Sequence, residues 1–173
     1  MRDFSLDSVL VRSEVDADIP AIYELHRLAF DSDEEAKLVD KLREAGESKL
    51  SLVAEYVGIC VGHIFYSKVS IAGSDTVLGL APMAVTPDLQ GCGIGTLLVS
   101  TSLDRLRKES CPAVVVLGHP DYYPRFGFKS ASTFGLKCTF DVPDGVFMAM
   151  ELTDGGLEDV HGLVEYHPLF NAF

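Results

Sequence analysis

Apolar residues follow two rhythms along this chain, and the places where the rhythm changes mark its elements. From residue 19 to 42 they recur every three or four positions. From 51 to 85 they crowd into β-branched runs, and from 94 to 106 the helical spacing returns. Val9 to Arg12 reads as a short strand. A helix follows to about Phe30, with Asp16 or Asp18 as its N-cap, Pro20 in its first turn, and an inward stripe of Ile19, Ile22, Leu25, Leu28 and Ala29. A second helix starts near Asp33, where Glu34 and Glu35 suit its positive end, and stops before Gly46 with Leu38, Val39 and Leu42 inward.

Ser51 to Tyr56, Cys60 to Ile71 and Thr76 to Val85 are strands separated by Val57-Gly58 and Ala72-Gly73-Ser74-Asp75, the pattern of an antiparallel meander. A helix from about Gly93 to Lys108 ends in Arg105, Arg107 and Lys108, which favour its negative end. The unbroken run Ala113-Val114-Val115-Val116-Leu117 suits a strand covered on both faces, so strand, helix and strand form a right-handed parallel crossover. A Tyr- and Pro-rich turn, Pro120 to Gly127, leads to strands from Phe128 and from Val146 to Leu152. The Gly-rich tail from Thr153 has no readable period.

A length of 173 residues suits one domain, here taken as 1–173. Its 47% hydrophobic and 23% charged residues can offset the ordering entropy of a folded chain. No apolar run approaches the roughly 20 residues of a membrane span, and the charged N-terminus leaves no core for a signal peptide, so a cytoplasmic location is expected. Cys60, Cys92, Cys111 and Cys138 form no C-x-x-C pair and are expected as free thiols. The histidines lack metal-ligand spacing, so no metal is expected. A net charge of -12 repels nucleic acid and suits a small cationic or amine partner, or simply solubility.

Candidate chemistry centres on Gln90-Gly91-Cys92-Gly93-Ile94-Gly95. It lies where a strand turns into a helix, so unpaired N-H groups meet the positive end of a helix dipole, which is a phosphate site. Glycine lets the phosphate approach and tolerates positive φ. A P-loop would need Gly-Lys-Ser or Gly-Lys-Thr, which is absent, and a dinucleotide fingerprint begun at Gly91 would need glycine where Thr96 stands. A bare strand-to-helix turn would account for the glycines but not for what lies downstream.

Gln90-x-x-Gly93-x-Gly95 resembles the Q/R-x-x-G-x-G/A signature of the GCN5-related N-acetyltransferases (GNAT). Tyr123-Pro124-Arg125-Phe126-Gly127-Phe128 resembles that family's Y-x-x-x-G-F segment. Leu80 to Val85 and Leu117 to Phe128 further resemble its YhbS-like branch of predicted acetyltransferases. The resemblance covers about residues 10 to 152. It implies an α/β (α+β) fold: a mixed, mostly antiparallel sheet with helices on both faces, its parallel βαβ unit splayed at the cofactor cleft.

It also implies acetyl transfer from acetyl-CoA to an amine by direct attack through a tetrahedral intermediate. The pantetheine arm would pair with the backbone of Met83, Ala84 and Val85, and the pyrophosphate would lie on Gln90, Gly91, Cys92, Gly93, Ile94, Gly95 and Thr96. Tyr122 and Phe126 would pack the cofactor, and Tyr123 would protonate the thiolate. Chemistry then asks for an oxyanion donor, best met by the Val85 N-H, and a base. His119 leads as base, with Glu55, His63, Asp121 or a water relay as alternatives. An acyl-Cys92 intermediate lacks an adjacent base. A non-catalytic acyl-CoA-binding module, a transferase for longer acyl groups, and a homodimer through an edge strand near the C-terminus remain open. The loops around Glu34, Ser70 to Asp75 and Ser130 to Asp144 would set the acceptor.

Overall fold

The computed structural model describes residues 4–172. Its first helix, α1, spans Ile19–Phe30, and α2 spans Glu34–Glu44. Pro20 occupies the first turn of α1, where its missing N-H has no helical partner to lose. Asp18 stands at the N-cap yet makes no capping bond to α1. Instead its carboxylate takes the Arg12 guanidinium at 2.7 and 2.9 Å and the Val15 N-H at 2.8 Å, closing the turn before the helix. The buried face of α1 is Ile22, Leu25 and His26. Leu28, expected inward, is 53% exposed, because it lies off the face that Ile22 and its i+3 and i+4 neighbours define.

The strands are β1 Val9–Ser13, β2 Leu50–Tyr56, β3 Ile59–Ile71, β4 Leu78–Val85, β5 Ala113–Leu117, β6 Lys129–Ser130, β7 Leu136–Cys138, β8 Phe147–Glu151 and β9 Gly162–Tyr166. Hydrogen-bonded neighbours run β1-β2-β3-β4-β5-β8-β6, with β9 paired to β3 and β7. The β4–β5 pair is parallel across α3, Ile94–Lys108, as the crossover requires. The expected α/β fold with a mixed sheet is present. Strands β7 and β9 were not foreseen: one is three residues long, and the other follows a Gly-rich stretch whose polar positions mask a strand. β9 pairs on both sides, Val164 to Tyr166 with β3 and Gly162 to Val164 with β7.

Contacts divide the chain into two compact units. One takes Pro82–Ser102 with the chain up to Phe65, and the other takes Tyr66–Ala81 with Leu103–Ala172, so β3, β4 and α3 each thread both. In the first unit α3 lies directly on β3: a Cβ on Gly62 would fall 2.9 Å from Ile94 Cγ2 and 3.0 Å from Leu98 Cδ1. In the second, Val114, Val115, Met148 and Ala149 are buried together with Leu103 and Leu106 of α3. The Tyr166 ring covers β4, since a Cβ on Gly79 would meet its Cε1 at 2.9 Å.

Candidate active site

In the first unit, β4 runs through a short turn at Pro87–Leu89 into the glycine loop and α3. Gly91 and Gly93 adopt φ of 75° and 92°, a region that disfavours side chains. A Cβ on Gly93 would also fall 2.9 Å from Leu6 Cδ2, so this turn needs glycine twice over. The first bond of α3 is Leu97 N-H to Gly93 O at 3.0 Å. The N-H groups of Ile94, Gly95 and Thr96 therefore have no helical acceptor and point with the dipole toward an incoming anion. Cys92 behaves differently from expectation: its N-H is committed to Leu89 O at 3.3 Å, because the loop folds as a tight turn, and its exposed thiol contacts Gln90 O at 3.9 Å within the same turn. The Gln90 side chain ties the loop back to β4, donating to Val85 O at 3.1 Å.

The end of β4 presents unpaired backbone. Parallel pairing with β5 covers Leu78 to Leu80 and stops there, while β4 continues to Val85. Thr86 N-H donates to Val61 O at 2.9 Å, and Val69 N-H donates to Val77 O at 3.2 Å. Between these rungs β4 spends one residue more than β3, so it carries a β-bulge in the stretch that contains Pro82, which has no N-H to offer. With Thr86 turned to β3, the alternation of a strand aims the Val85 N-H away from it. The Val85 N-H thus stays available for a ligand.

In the second unit, the chain leaves β5 through Gly118 and His119 into the turn Tyr123–Phe126. His119 O accepts from the N-H groups of Tyr122 and Tyr123 at 3.1 and 3.4 Å, leaving an exposed imidazole one turn from the phenol. Tyr123 is only 7% exposed, and its ring is wedged between Tyr122, Phe126 and Phe128 at centroid distances of 5.1, 6.4 and 5.6 Å. Burial, with the neighbouring Tyr122, pushes its pKa well above the ordinary phenol value. The phenol is therefore a firmer proton holder than the free side chain assumed from sequence. Gly118 makes this packing possible, since a Cβ there would lie 2.2 Å from Tyr123 Cε2. Gly118→Ala is expected to displace the ring and to destabilise the chain by about 1–3 kcal/mol, the usual cost of overpacking. A thermal melt checks this, and an unchanged Tm would mean that the ring yields without cost.

The sequence profile of the acetyltransferase (GNAT) family matches residues 19–128, a span that includes the glycine loop and the Tyr123 turn. The chain belongs to the GNAT family. By that membership it is an acyltransferase. It is 42% identical over 167 residues to the N-acetyltransferase YhbS of Escherichia coli strain K12, covering 95% of this chain and 100% of YhbS. It is also 39% identical over 134 residues to YjhQ of the same organism, 74% of each chain. Among solved structures, E. coli YhbS in complex with CoA superposes with a TM-score of 0.93 at 41% identity, covering 100% of this chain and 97% of that one. A GNAT acetyltransferase of Brucella melitensis in complex with acetyl-CoA gives 0.79 at 33% identity, covering 94% and 97%.

Within this GNAT fold, the alternative bases sort by exposure. Glu55 is held by the Arg12 guanidinium at 2.9 Å. His63 is completely buried, and both ring nitrogens are engaged: Nδ1 with His26 Nε2 at 2.8 Å, and Nε2 with Ser51 Oγ at 2.8 Å and Glu14 Oε2 at 3.3 Å. Ser51 donates to Glu14, whose other oxygen accepts from Arg43 at 2.7 Å. His119 and Asp121 are exposed. This internal row of Glu14, Ser51, His63 and His26 went unnoticed in the sequence, where single polar residues inside apolar runs carry no mark of partnership. Among the described residues no group of three or more His, Cys, Asp or Glu is placed to hold a metal, and no helix is long and apolar enough to cross a membrane.

Proposed function

We propose that this chain binds acetyl-CoA on the backbone of Met83, Ala84 and Val85 and on the loop from Gln90 to Thr96, the Cys92 N-H excepted, and transfers the acetyl group to an amine. The observation that carries this is the loop: positive-φ glycines and unmatched N-H groups at the start of α3, in a chain matched along its whole length by a CoA-bound YhbS. An anion at that helix start is favoured even though the chain carries a net charge of -12. Residues 1–173 act as one catalytic domain, since the family match crosses both compact units. Its four free cysteines suit the reducing cytoplasm.

In this reading the amine nitrogen attacks the thioester carbonyl. The Val85 N-H takes the developing oxyanion, a contribution of about 3 kcal/mol for donors of this kind. His119 accepts the proton of the amine, and Tyr123 gives its proton to the departing thiolate, with Tyr122 and Phe126 packing the cofactor. Thermal shift with acetyl-CoA and longer acyl-CoAs, followed by thiol release across a panel of amines, tests the reading. A ligand present at about a hundred times its Kd stabilises by about 2.7 kcal/mol, enough to raise Tm by several degrees. Gly93→Ala, which strains the loop, is expected to abolish most of that shift. No shift with any acyl-CoA overturns the reading, and a shift without thiol release would mark a binding module instead.

A further inference from the structure

The second unit contains a cavity of about 210 Å³ that the acetyl-transfer chemistry leaves unused, between the Ser130–Ser132 turn and the segment Phe140 to Phe147. Its position is informative. Phe147 on its wall pairs with Leu117, the last residue of β5, and Gly118 N-H donates to Val146 O at 3.0 Å. On the rim, a Cβ on Gly145 would lie 3.9 Å from Pro120 Cβ. One end of the cavity therefore adjoins the segment that carries His119 and Tyr123.

The polar groups around it are short of an acceptor. Lys137, on the lining, has no carboxylate in ion-pair range among the described residues, as is also true of Lys41, Lys49, Lys108, Arg125 and Lys129. The hydroxyls of Ser130 and Ser132 bond to each other at 3.1 Å, which uses one of their two protons and leaves the other to give. The Tyr166 ring packs 5.9 Å from that of Phe140, which lines the cavity. The lining also holds one carboxylate, Asp144, beside Gly145, whose Cβ position lies 3.9 Å from Pro120 Cβ. Phe140 and Phe147 give the lining an apolar part. At this volume the cavity falls below the roughly 300–1,000 Å³ of a drug-sized pocket and suits a group the size of one amino acid.

We propose that this cavity holds the acceptor, and that the acceptor is an apolar α-amino acid. Its carboxylate meets Lys137 and the serine hydroxyls, its side chain covers Phe140 and Phe147, and its amine lies toward Asp144 and the His119 to Tyr123 segment. The assignment rests on the acetyl-transfer reading above. The amine nitrogen forms the amide bond as the thioester C-S bond breaks; the nitrogen loses one proton and the thiolate gains one, so no other reactant is needed. Asp144 attracts the ammonium form, which first gives one further proton to solvent through the base, so the reaction from the ammonium releases one proton overall.

Calorimetric titration of the CoA-loaded protein with L-leucine and with 3-methylbutylamine, its decarboxylated counterpart, tests the assignment. Leucine is expected to bind at least tenfold tighter. Lys137→Ala, an exposed change that leaves the donor loop intact, is expected to erase that preference without altering the thermal shift given by acetyl-CoA. Asp144→Asn is expected to weaken both ligands alike. Equal binding of the two, binding of neither, or a carboxylate preference that survives Lys137→Ala overturns the proposal. Should acetyl-CoA give no shift, the donor reading fails separately, and leucine titration without CoA still reads the cavity.

Discussion

Tyr123→Phe is expected to lower kcat by about 10²- to 10⁴-fold, the usual reach of a general acid, while KM for acetyl-CoA stays nearly constant. The substitution keeps the ring, so the contacts with Tyr122, Phe126 and Phe128 that position it persist, and only the proton is lost. Burial that raises the Tyr123 pKa also fixes the pH dependence. The acid stays protonated throughout the neutral and mildly alkaline range, so the wild-type rate should show no fall through pH 10 from loss of this proton. Steady-state kinetics from pH 6 upward reads both effects, and wild-type turnover in the Phe variant would remove Tyr123 from the acid's role.

Glu14→Gln should destabilise the chain by about 3 kcal/mol at pH 7, the low end for breaking a buried pair, since the carboxylate keeps a thin solvent edge. Burial pushes the Glu14 pKa up, but hydrogen bonds from His63, Arg43 and Ser51 outweigh it and hold the group down at about 2, from an ordinary 4.5. The unfolded chain therefore binds the proton first. The stability this group contributes is whole above pH 4.5 and is lost as pH falls toward 2.

His26 works in the same direction. Burial, then the neighbouring His63 and Arg43, lowers its pKa to about 3 from 6.5, so stability is whole above pH 6.5 and declines as pH falls below it. Burial lowers the pKa of His63 as well, against the pull of Glu14. Both imidazoles are thus neutral in the fold, which allows one consistent row: His26 Nε2-H to His63 Nδ1, His63 Nε2-H to Ser51, and Ser51 O-H to Glu14. Protonating the row leaves two cations buried side by side. Urea unfolding at pH 7, 5.5, 4 and 2.5 should show wild-type stability falling below pH 6.5 and more steeply below 4.5, the added steepness missing in Glu14→Gln. A flat profile across that range would show that the row carries no such linkage.

Most helices and strands were legible because local spacing carries them. The stripe of α3 and the run Ala113 to Leu117 stand at the expected places, and Gly91 and Gly93 do need their positive φ. Legibility ended where a short element or a polar residue depended on distant chain. β7 and β9 exist because Leu136 to Cys138 and Val164 to Tyr166 find partners that no local pattern names. Leu28 looked like part of a stripe, but His26 fills the inward face because His63, on β3, offers it a hydrogen bond. Cys92 was read as a phosphate donor, whereas the turn itself claims its N-H.

The sequence by itself determined the strand-loop-helix unit at Gln90 to Thr96, the parallel crossover after it and the acyltransferase family, because these rest on contiguous residues and on glycines whose backbone demands are local. Tertiary structure alone decided that β4 carries a bulge and unpaired backbone beyond Leu80, that Gly118 makes room for the Tyr123 ring, and that Glu14, Ser51, His63 and His26 form one buried row. Each of these is a relation between segments far apart in the chain. Period and propensity describe one segment at a time, and only packing brings the partners within hydrogen-bond reach.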